Sequence, residues 1–246
     1  MKRFFHGFFM CQSMFCAIPC PCRVWDEEAR PLMLPMLPLV GLEIGALWAF
    51  FGWLTEILGL PSLIRGLILA LWPYLATGFL HLDGFMDVTD AVKSCRDLAR
   101  RREILKDSHV GSFAVIGLCM LMLAQFAVFS SISADRNCRI LLFLPAVSRC
   151  CSALAVTALP SMSTSQYASQ KKPTAHLVVL SAMLCLFTVL GFVLCGRMGF
   201  ALIGCMAGYA LALHRGFHSL EGMNGDIAGY ALTIGELCGA AVFALL

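Results

Sequence analysis

Seven long apolar windows restrict what this chain can fold into. Each is close to the 20 or so residues that an α-helix needs to cross the hydrocarbon core of a bilayer. The windows run over 32–54, 63–80, 113–134, 139–159, 176–195, 197–213 and 227–246. None of them alternates apolar and polar residues with a period of two, so the pattern favours membrane-spanning helices over a β-barrel.

The supply of charged residues supports the same interpretation. Only 13% of the 246 residues are Asp, Glu, Lys or Arg, and 59% are hydrophobic, whereas soluble domains carry about 25% charged residues. Such a chain cannot cover a surface exposed to water. We predict an all-α, polytopic transmembrane helix bundle of about seven spans. Residues 1–31 would form a cytoplasmic or interfacial N-terminal segment, and residues 32–246 one integral membrane domain.

The distribution of basic residues predicts how the bundle is oriented. With seven spans, the N-terminus and the connections 81–112, 160–175 and 214–226 lie on one side of the membrane. This set holds most of the Lys and Arg residues, including Lys171 and Lys172, while the opposite connections hold few. Because cytoplasmic loops are enriched in Lys and Arg, we expect the first set to face the cytoplasm.

The segment between the second and third windows concentrates carboxylates on one helical face. Asp83, Asp87 and Asp90 follow one another at i, i+4 and i+7, so they repel each other unless a cation offsets their charge. Magnesium is the expected cation, because it binds oxygen ligands, usually one or two carboxylates together with substrate phosphates. Asp107 and Ser108 offer further oxygens.

Basic residues follow these aspartates and suit the binding of a polyanion such as a diphosphate. They are Lys93, Arg96, Arg100, Arg101, Arg102 and Lys106. The alternative interpretation is a solvated amphipathic helix whose charges pair with each other and with lipid headgroups. That alternative accounts for the arginine run at 100–102, but it accounts poorly for three stacked aspartates beside apolar residues.

A second polar group precedes the last window. Asn224 and Asp226 could complete a metal shell, and Gly222, Gly225 and Gly229 would let a phosphate approach the backbone closely. A glycine-rich turn that leads into a helix is the alternative interpretation of the same residues.

Three ionisable side chains each keep more than one interpretation. His81 directly precedes the aspartates and would act as a base, as a donor to phosphate, or only as a contact to lipid headgroups. Glu43 and Glu236 lie inside apolar windows, where an ionisable group is costly and therefore has a functional or a helix-packing role.

Four stretches of the sequence resemble the motifs of one protein family. They are PLVGLEIGALWA from Pro38, HLDGFMDVTDAV from His81, REILKDSHVGSFAV from Arg102 and EGMNGDIAGYALTIGEL from Glu221. These stretches are similar to the cobalamin synthases, also called adenosylcobinamide-GDP ribazoletransferases, and the similarity extends from Pro38 to Glu236. Three places in these motifs depart from the family pattern: Thr89 follows Val88 where a Thr-Ala pair is common, His109 stands where arginine is common, and Asn224 stands where threonine is usual.

The resemblance implies one reaction. The enzyme would transfer adenosylcobinamide phosphate from adenosylcobinamide-GDP to α-ribazole, or to its 5′-phosphate, and release GMP at a late step of cobalamin biosynthesis. Transfers of this kind rely on positioning and on charge neutralisation by metal and cations. The resemblance further implies small-molecule substrates and no nucleic acid, a lipid bilayer as surroundings, and a bacterial inner membrane with the active site facing the cytoplasm. It leaves the oligomeric state open.

The motifs and the residue chemistry together lead to an expected role for each candidate residue. The magnesium ligands would be Asp83, Asp87, Asp90 and Asp226. The catalytic group would be His81, Lys106, Asp107 and Ser108, in which Lys106 contacts the diphosphate and His81 or an aspartate takes the hydroxyl proton. Substrate binding would fall to Arg96, Arg102, Asn224 and Gly225.

Two other functions compete with this one. A CDP-alcohol-type membrane phosphotransferase also groups aspartates and glycines around a metal at a membrane surface, but its motifs come in a different order. A cation-coupled transporter would place ionisable residues at the bilayer midplane on broken helices. Only Glu43 and Glu236 favour that function.

Overall fold

The structure is a computed structural model that describes residues 2–133, 136–162 and 173–246. Ten α-helices are present in these ranges: α1 (Lys2–Phe15), α2 (Met33–Ile57), α3 (Ser62–Ala76), α4 (Leu80–Lys93), α5 (Leu98–Ile104), α6 (Ser112–Ser131), α7 (Leu144–Ala158), α8 (Thr174–Cys195), α9 (Phe200–Leu220) and α10 (Gly225–Leu245). Among the described residues, β pairing is limited to one isolated bridge between Ser161 and Met223. The predicted all-α class is therefore confirmed.

Within the described ranges, five helical stretches are long and apolar enough to cross a membrane. They are Arg30–Ile57, Ser112–Ser131, Cys138–Ala158, Thr174–Leu220 and Gly225–Leu245. Several side chains on them face outward although they are apolar, for example Val193, which is 71% exposed. Lipid is the surroundings in which such a surface is stable, so the chain is a multi-pass membrane protein.

The number of stretches differs from the seven windows for two reasons. The stretch Thr174–Leu220 is 47 residues long and covers two windows, although a 3₁₀ turn at Gly196–Gly199 divides it into α8 and α9. The second window is interrupted, because Gly78 and Phe79 both have positive φ (56° and 65°) and end the helix after α3. With 15 residues, α3 is about 22 Å long, which is less than the roughly 30 Å hydrocarbon core.

The chain becomes helical again directly after this break and forms α4. It meets the length and hydropathy criterion for a span only when it is joined to α3, from which it is bent by 89°. With three aspartates in 14 residues, α4 would be costly to place in hydrocarbon. We therefore treat α4 as lying outside the membrane-spanning segments.

The connections that were predicted to share one side of the membrane meet at one end of the bundle. The Met162 amide donates to the Met223 carbonyl over 2.9 Å, which joins the end of α7 to the connection between α9 and α10. The Ala17 amide, which follows α1, donates to the Ala76 carbonyl at the end of α3 over 2.8 Å. We call this end, which also contains residues 81–111, the polar end. Lys171 and Lys172, which were counted among the basic residues of the predicted cytoplasmic side, lie outside the described residues.

The two glutamates inside the spans are both engaged by neighbouring helices. Glu236 on α10 pairs with Arg149 on α7 over 2.8 Å, and their side chains are only 6% and 1% exposed. The Ser148 hydroxyl donates to the same carboxylate over 2.7 Å. Glu43 on α2 accepts a hydrogen bond of 2.8 Å from the Gln12 amide on α1. Of the two interpretations for these glutamates, the contacts favour helix packing.

Candidate active site

Helices α4 and α10 cross at a point where glycine replaces a side chain on each of them. A Cβ atom added at Gly84 would lie 2.9 Å from the Cα and carbonyl oxygen of Asp226, and one at Gly229 would lie 3.2 Å from the Cα of His81. Next to this crossing, the rings of Phe85 and Tyr230 stack with centroids 5.8 Å apart. The close approach brings the aspartates of α4 beside the first turn of α10, as the two polar groups in the sequence suggested.

Because this contact depends on the missing side chain, Gly84→Ala should separate the two helices. We expect kcat/KM for the reaction proposed below to fall by up to about a hundredfold, the effect of a displacement near 1 Å on reacting groups. Gly204→Ala is the matched control, because its Cβ would lie 2.6 Å from Val242 at the other end of the α9–α10 contact. Wild-type activity in a folded Gly84→Ala protein would contradict the importance of this crossing.

Three carboxylates gather around the crossing with few compensating partners. Within the described residues, Asp83 and Asp87 make no hydrogen bond or ion pair through their side chains, and Asp226 accepts one hydrogen bond, from the Asn224 amide over 2.6 Å. Burial and then the nearby carboxylates of Asp83, Asp226 and Asp90 raise the pKa of Asp87 to about 6. This end of α4 therefore holds more negative charge than the protein itself neutralises.

The side chains at the crossing offer oxygen donors, the ligand type that Mg²⁺ prefers. In the described part of the chain, no group of three or more His, Cys, Asp or Glu side chains is arranged so that it could hold a metal ion by itself. Magnesium does not require such a cage, because it usually takes one or two carboxylates and fills its other positions with water and substrate phosphates. Asp83, Asp87 and Asp226 offer that kind of partial, all-oxygen set.

Asp90, the third aspartate of the predicted metal group, is held by a neighbouring helix. Its Oδ1 accepts a hydrogen bond of 3.3 Å from the Ala114 amide in the first turn of α6, where the helix dipole favours a negative charge. Gly111 lies against the same carboxylate and leaves no room for a side chain. Asp90 thus joins α4 to α6, and its Oδ1, which could otherwise bind a metal, already accepts a hydrogen bond.

The second motif lies in the connection between α5 and α6. Lys106, Asp107 and Ser108 are exposed there. The Asp107 carboxylate accepts a hydrogen bond of 3.0 Å from the His109 amide and lies 2.6 Å from His109 Nδ1, and these contacts lower the pKa of Asp107. A cavity of about 200 Å³ is lined by both Asp90 and Asp107, so the first and second motifs share one depression.

The arginines of the segment differ in their contacts and exposure. Arg102 donates through Nε to the Leu220 carbonyl over 3.0 Å and through Nη2 to the Glu221 carbonyl over 2.8 Å. These carbonyls belong to the end of α9, where cations satisfy unpaired backbone oxygens. Arg102 therefore positions the connection to α10. The sequence-based prediction for Arg102 was substrate binding and did not include this structural role. Arg96 is exposed at the polar end.

Asn224 has a structural role that explains its departure from the family pattern. It is the N-cap of α10, and its Oδ1 accepts a hydrogen bond of 3.0 Å from the Ile227 amide. Asparagine and threonine are both favoured at this position, so the exchange preserves the start of the helix. Gly225 follows as the first residue of α10, and a Cβ there would meet no atom within 4 Å.

A cavity of about 240 Å³ opens beside Asp226 and includes His81. His81 is only 9% exposed, and its buried Nε2 has no hydrogen-bond partner among the described residues. The walls include Phe15 from α1, Leu37 from α2 and Val156 from α7. These wall residues could not be identified from the sequence, because apolar residues in a chain rich in them cannot be told apart until the packing of the helices is known.

Comparisons with known proteins agree with the motifs. The profile of the cobalamin-5-phosphate synthase (CobS) family matches residues 7–244. A protein of Clostridium botulinum (strain Alaska E43 / Type E3) named adenosylcobinamide-GDP ribazoletransferase is 35% identical over 245 residues, which is 97% of each chain. A protein with the same name from Clostridium perfringens (strain ATCC 13124) is 33% identical over 100% of both chains. Another, from Geobacillus thermodenitrificans, is 31% identical over 96% of this chain and 94% of its own.

No solved structure matches the chain. The family profile and the full-length relatives nevertheless agree with each other, and the matched region includes α4, α10 and every candidate residue named above. The chain belongs to the cobalamin-5-phosphate synthase family.

Proposed function

We propose that this chain is an adenosylcobinamide-GDP ribazoletransferase. A ribose hydroxyl of α-ribazole, or of its 5′-phosphate, attacks the phosphorus next to cobinamide. The new O–P bond forms as the bond from that phosphorus to the bridging oxygen breaks, and GMP leaves with the bridging oxygen. The observation that carries the proposal is the α4–α10 crossing, which gathers Asp83, Asp87 and Asp226 at the polar end in a chain of this family.

Each group of residues has a part in this reaction. Asp83, Asp87 and Asp226 would hold Mg²⁺, which when bound supplies positive charge to the diphosphate. Lys106 and Arg96 are exposed cations at the same end and bind the diphosphate oxygens. His81 and Asp226 both line the cavity at this crossing, and His81 or an aspartate accepts the proton of the attacking hydroxyl. Asp90, Asn224 and Arg102 hold α6, α10 and the end of α9 in place.

The proposed location of the enzyme is supported by the distribution of its basic residues. The polar end faces the cytoplasm of a bacterium, because the connections rich in Lys and Arg meet there, and the spans lie in the inner membrane. Transport is disfavoured, since Glu43 and Glu236, the two residues that suggested it, already have hydrogen-bonding partners inside the bundle.

A direct assay tests the proposal. The purified protein is incubated in detergent or nanodiscs with adenosylcobinamide-GDP, α-ribazole and Mg²⁺, and the corrinoids are separated by chromatography. We expect adenosylcobalamin and GMP in equal amounts. Absence of both from a monodisperse, folded preparation would refute the proposed function.

Removal of the metal tests its part separately. Chelation with EDTA should stop product formation, and added Mg²⁺ should restore it, because the clustered carboxylates cannot neutralise the diphosphate. Binding of Mg²⁺ is measured independently by calorimetry in the presence of the diphosphate substrate. Unchanged turnover after complete chelation would exclude the metal role of the three aspartates.

A further inference from the structure

The cavity beside Asp226 can hold only a small part of either substrate. At about 240 Å³ it lies below the range of roughly 300–1,000 Å³ that is usual for whole ligands of drug size. The corrin ring of adenosylcobinamide-GDP is far larger than this space. Guanine, the other planar group of that substrate, carries several donors and acceptors along its edges, and burying them without partners would be costly.

The lining of the cavity is suited to a different group. Leu34, Leu37 and Val156 are each at most 7% exposed and form apolar walls. His81 Nε2 is buried and has no hydrogen-bond partner in the described part of the chain, and neutral imidazole can donate one hydrogen bond. The benzimidazole base of α-ribazole has the matching chemistry, because it is a flat apolar ring system with one free ring nitrogen that accepts one hydrogen bond.

The position of the cavity also suits the attached ribose. Asp226 lines the cavity and belongs to the carboxylate group at the α4–α10 crossing. A base that fills the apolar part would therefore leave its sugar next to the carboxylates that are expected to hold the metal. Within a single substrate, the apolar and the reacting parts would occupy adjacent places.

We infer that this cavity is the subsite for the benzimidazole base of α-ribazole, and that His81 binds the ring nitrogen of that base. The inference rests on the proposed function and assigns to His81 a role in recognition, so that proton removal falls to a carboxylate. It also gives the N-terminal segment a function, because Met14 and Phe15 of α1 form one wall of the cavity. The hydrogen bond between Gln12 and Glu43 fixes that wall to α2.

Filling the cavity tests the subsite. Val156→Phe should raise KM for α-ribazole on the order of tenfold or more, since one methylene in an apolar pocket already changes specificity by that amount, and should leave KM for adenosylcobinamide-GDP unchanged. Met14→Trp narrows the cavity from α1, where the side chain is 37% exposed and folding is at less risk. Val178→Phe, on the lipid-facing side of α8 with 66% exposure, is the matched control.

Replacing His81 separates its two roles. His81→Gln keeps a hydrogen-bond donor but loses the basic imidazole, so recognition predicts a modest rise in KM for α-ribazole with kcat nearly kept. A general base predicts a loss of roughly 10²–10⁴ in kcat with KM unchanged, and that result would overturn the assignment of His81. If the wild-type enzyme is active and both cavity-filling variants leave KM for α-ribazole unchanged, the subsite is wrong. If the wild-type enzyme makes no cobalamin, the proposed function itself fails.

Discussion

Asp87→Asn is expected to lower kcat for cobalamin formation by roughly 100- to 1000-fold, the usual loss when one group that stabilises transition-state charge is removed. Burial and then the charges of Asp83, Asp226 and Asp90 raise the pKa of Asp87 to about 6, so its carboxylate interacts with all three of the others. The same substitution should weaken Mg²⁺ binding in calorimetry. It should also raise the melting temperature of the metal-free protein, because one of four mutually repelling charges is removed.

Replacing a functional carboxylate should lower kcat and raise the melting temperature of the metal-free protein, whereas replacing a structural one should lower the melting temperature. Asp97→Asn is the matched control: Asp97 caps α5 through the Arg100 amide at 2.9 Å, and asparagine caps a helix equally well. Its activity and melting temperature should stay near those of the wild-type protein. An Asp87→Asn protein that turns over normally, or that is less stable without metal, would contradict the role given to Asp87.

Arg149→Met is expected to produce the largest loss of stability. It leaves the Glu236 carboxylate buried without its cation, and removing one partner of a buried ion pair costs about 3–5 kcal/mol of unfolding free energy. The double variant Arg149→Met/Glu236→Met replaces both charges with apolar groups, which is often neutral or stabilising. Unfolding in mixed micelles with increasing denaturing detergent measures both effects.

The double variant also tests whether the pair takes part in the reaction. Neither side chain lines the cavity beside Asp226, so we expect the double variant to keep its transferase activity. Arg100→Met is the control, because Arg100 pairs with Glu103 on an exposed face of α5, where both side chains are at least 60% exposed, and such pairs contribute little. Equal stability of Arg149→Met and the wild-type protein would show that Glu236 does not depend on Arg149.

Much of the architecture could be predicted from the sequence, because apolar windows of helical length have few alternatives in a chain so poor in charge. The break before α4 could not be predicted. It depends on a left-handed conformation of Phe79, a residue type that rarely adopts one. The shortness of α3 follows from that single residue and its neighbour Gly78.

The candidate site could likewise be predicted from the sequence only in part. The spacing of Asp83 and Asp87 predicted a shared face, and the resemblance linked that face to Asp226, which α10 then places beside Gly84. Spacing carries no information about a partner far along the chain, so the contact of Arg102 with the end of α9 was missed. The same applies to Phe15, whose place in the cavity wall depends on how α1 packs against α2.

The crossing of α4 and α10 also determines when the enzyme can first work. Gly84 and Asp226 are 226 − 84 = 142 positions apart in the chain, which the ribosome translates in roughly 7 to 28 s at 5–20 residues per second. Throughout that interval the aspartates of α4 have emerged, but their partner on α10 does not yet exist. A nascent chain arrested after α9 would have most of its spans in the bilayer but only part of the proposed site, so we expect activity to begin only once the last helix is inserted.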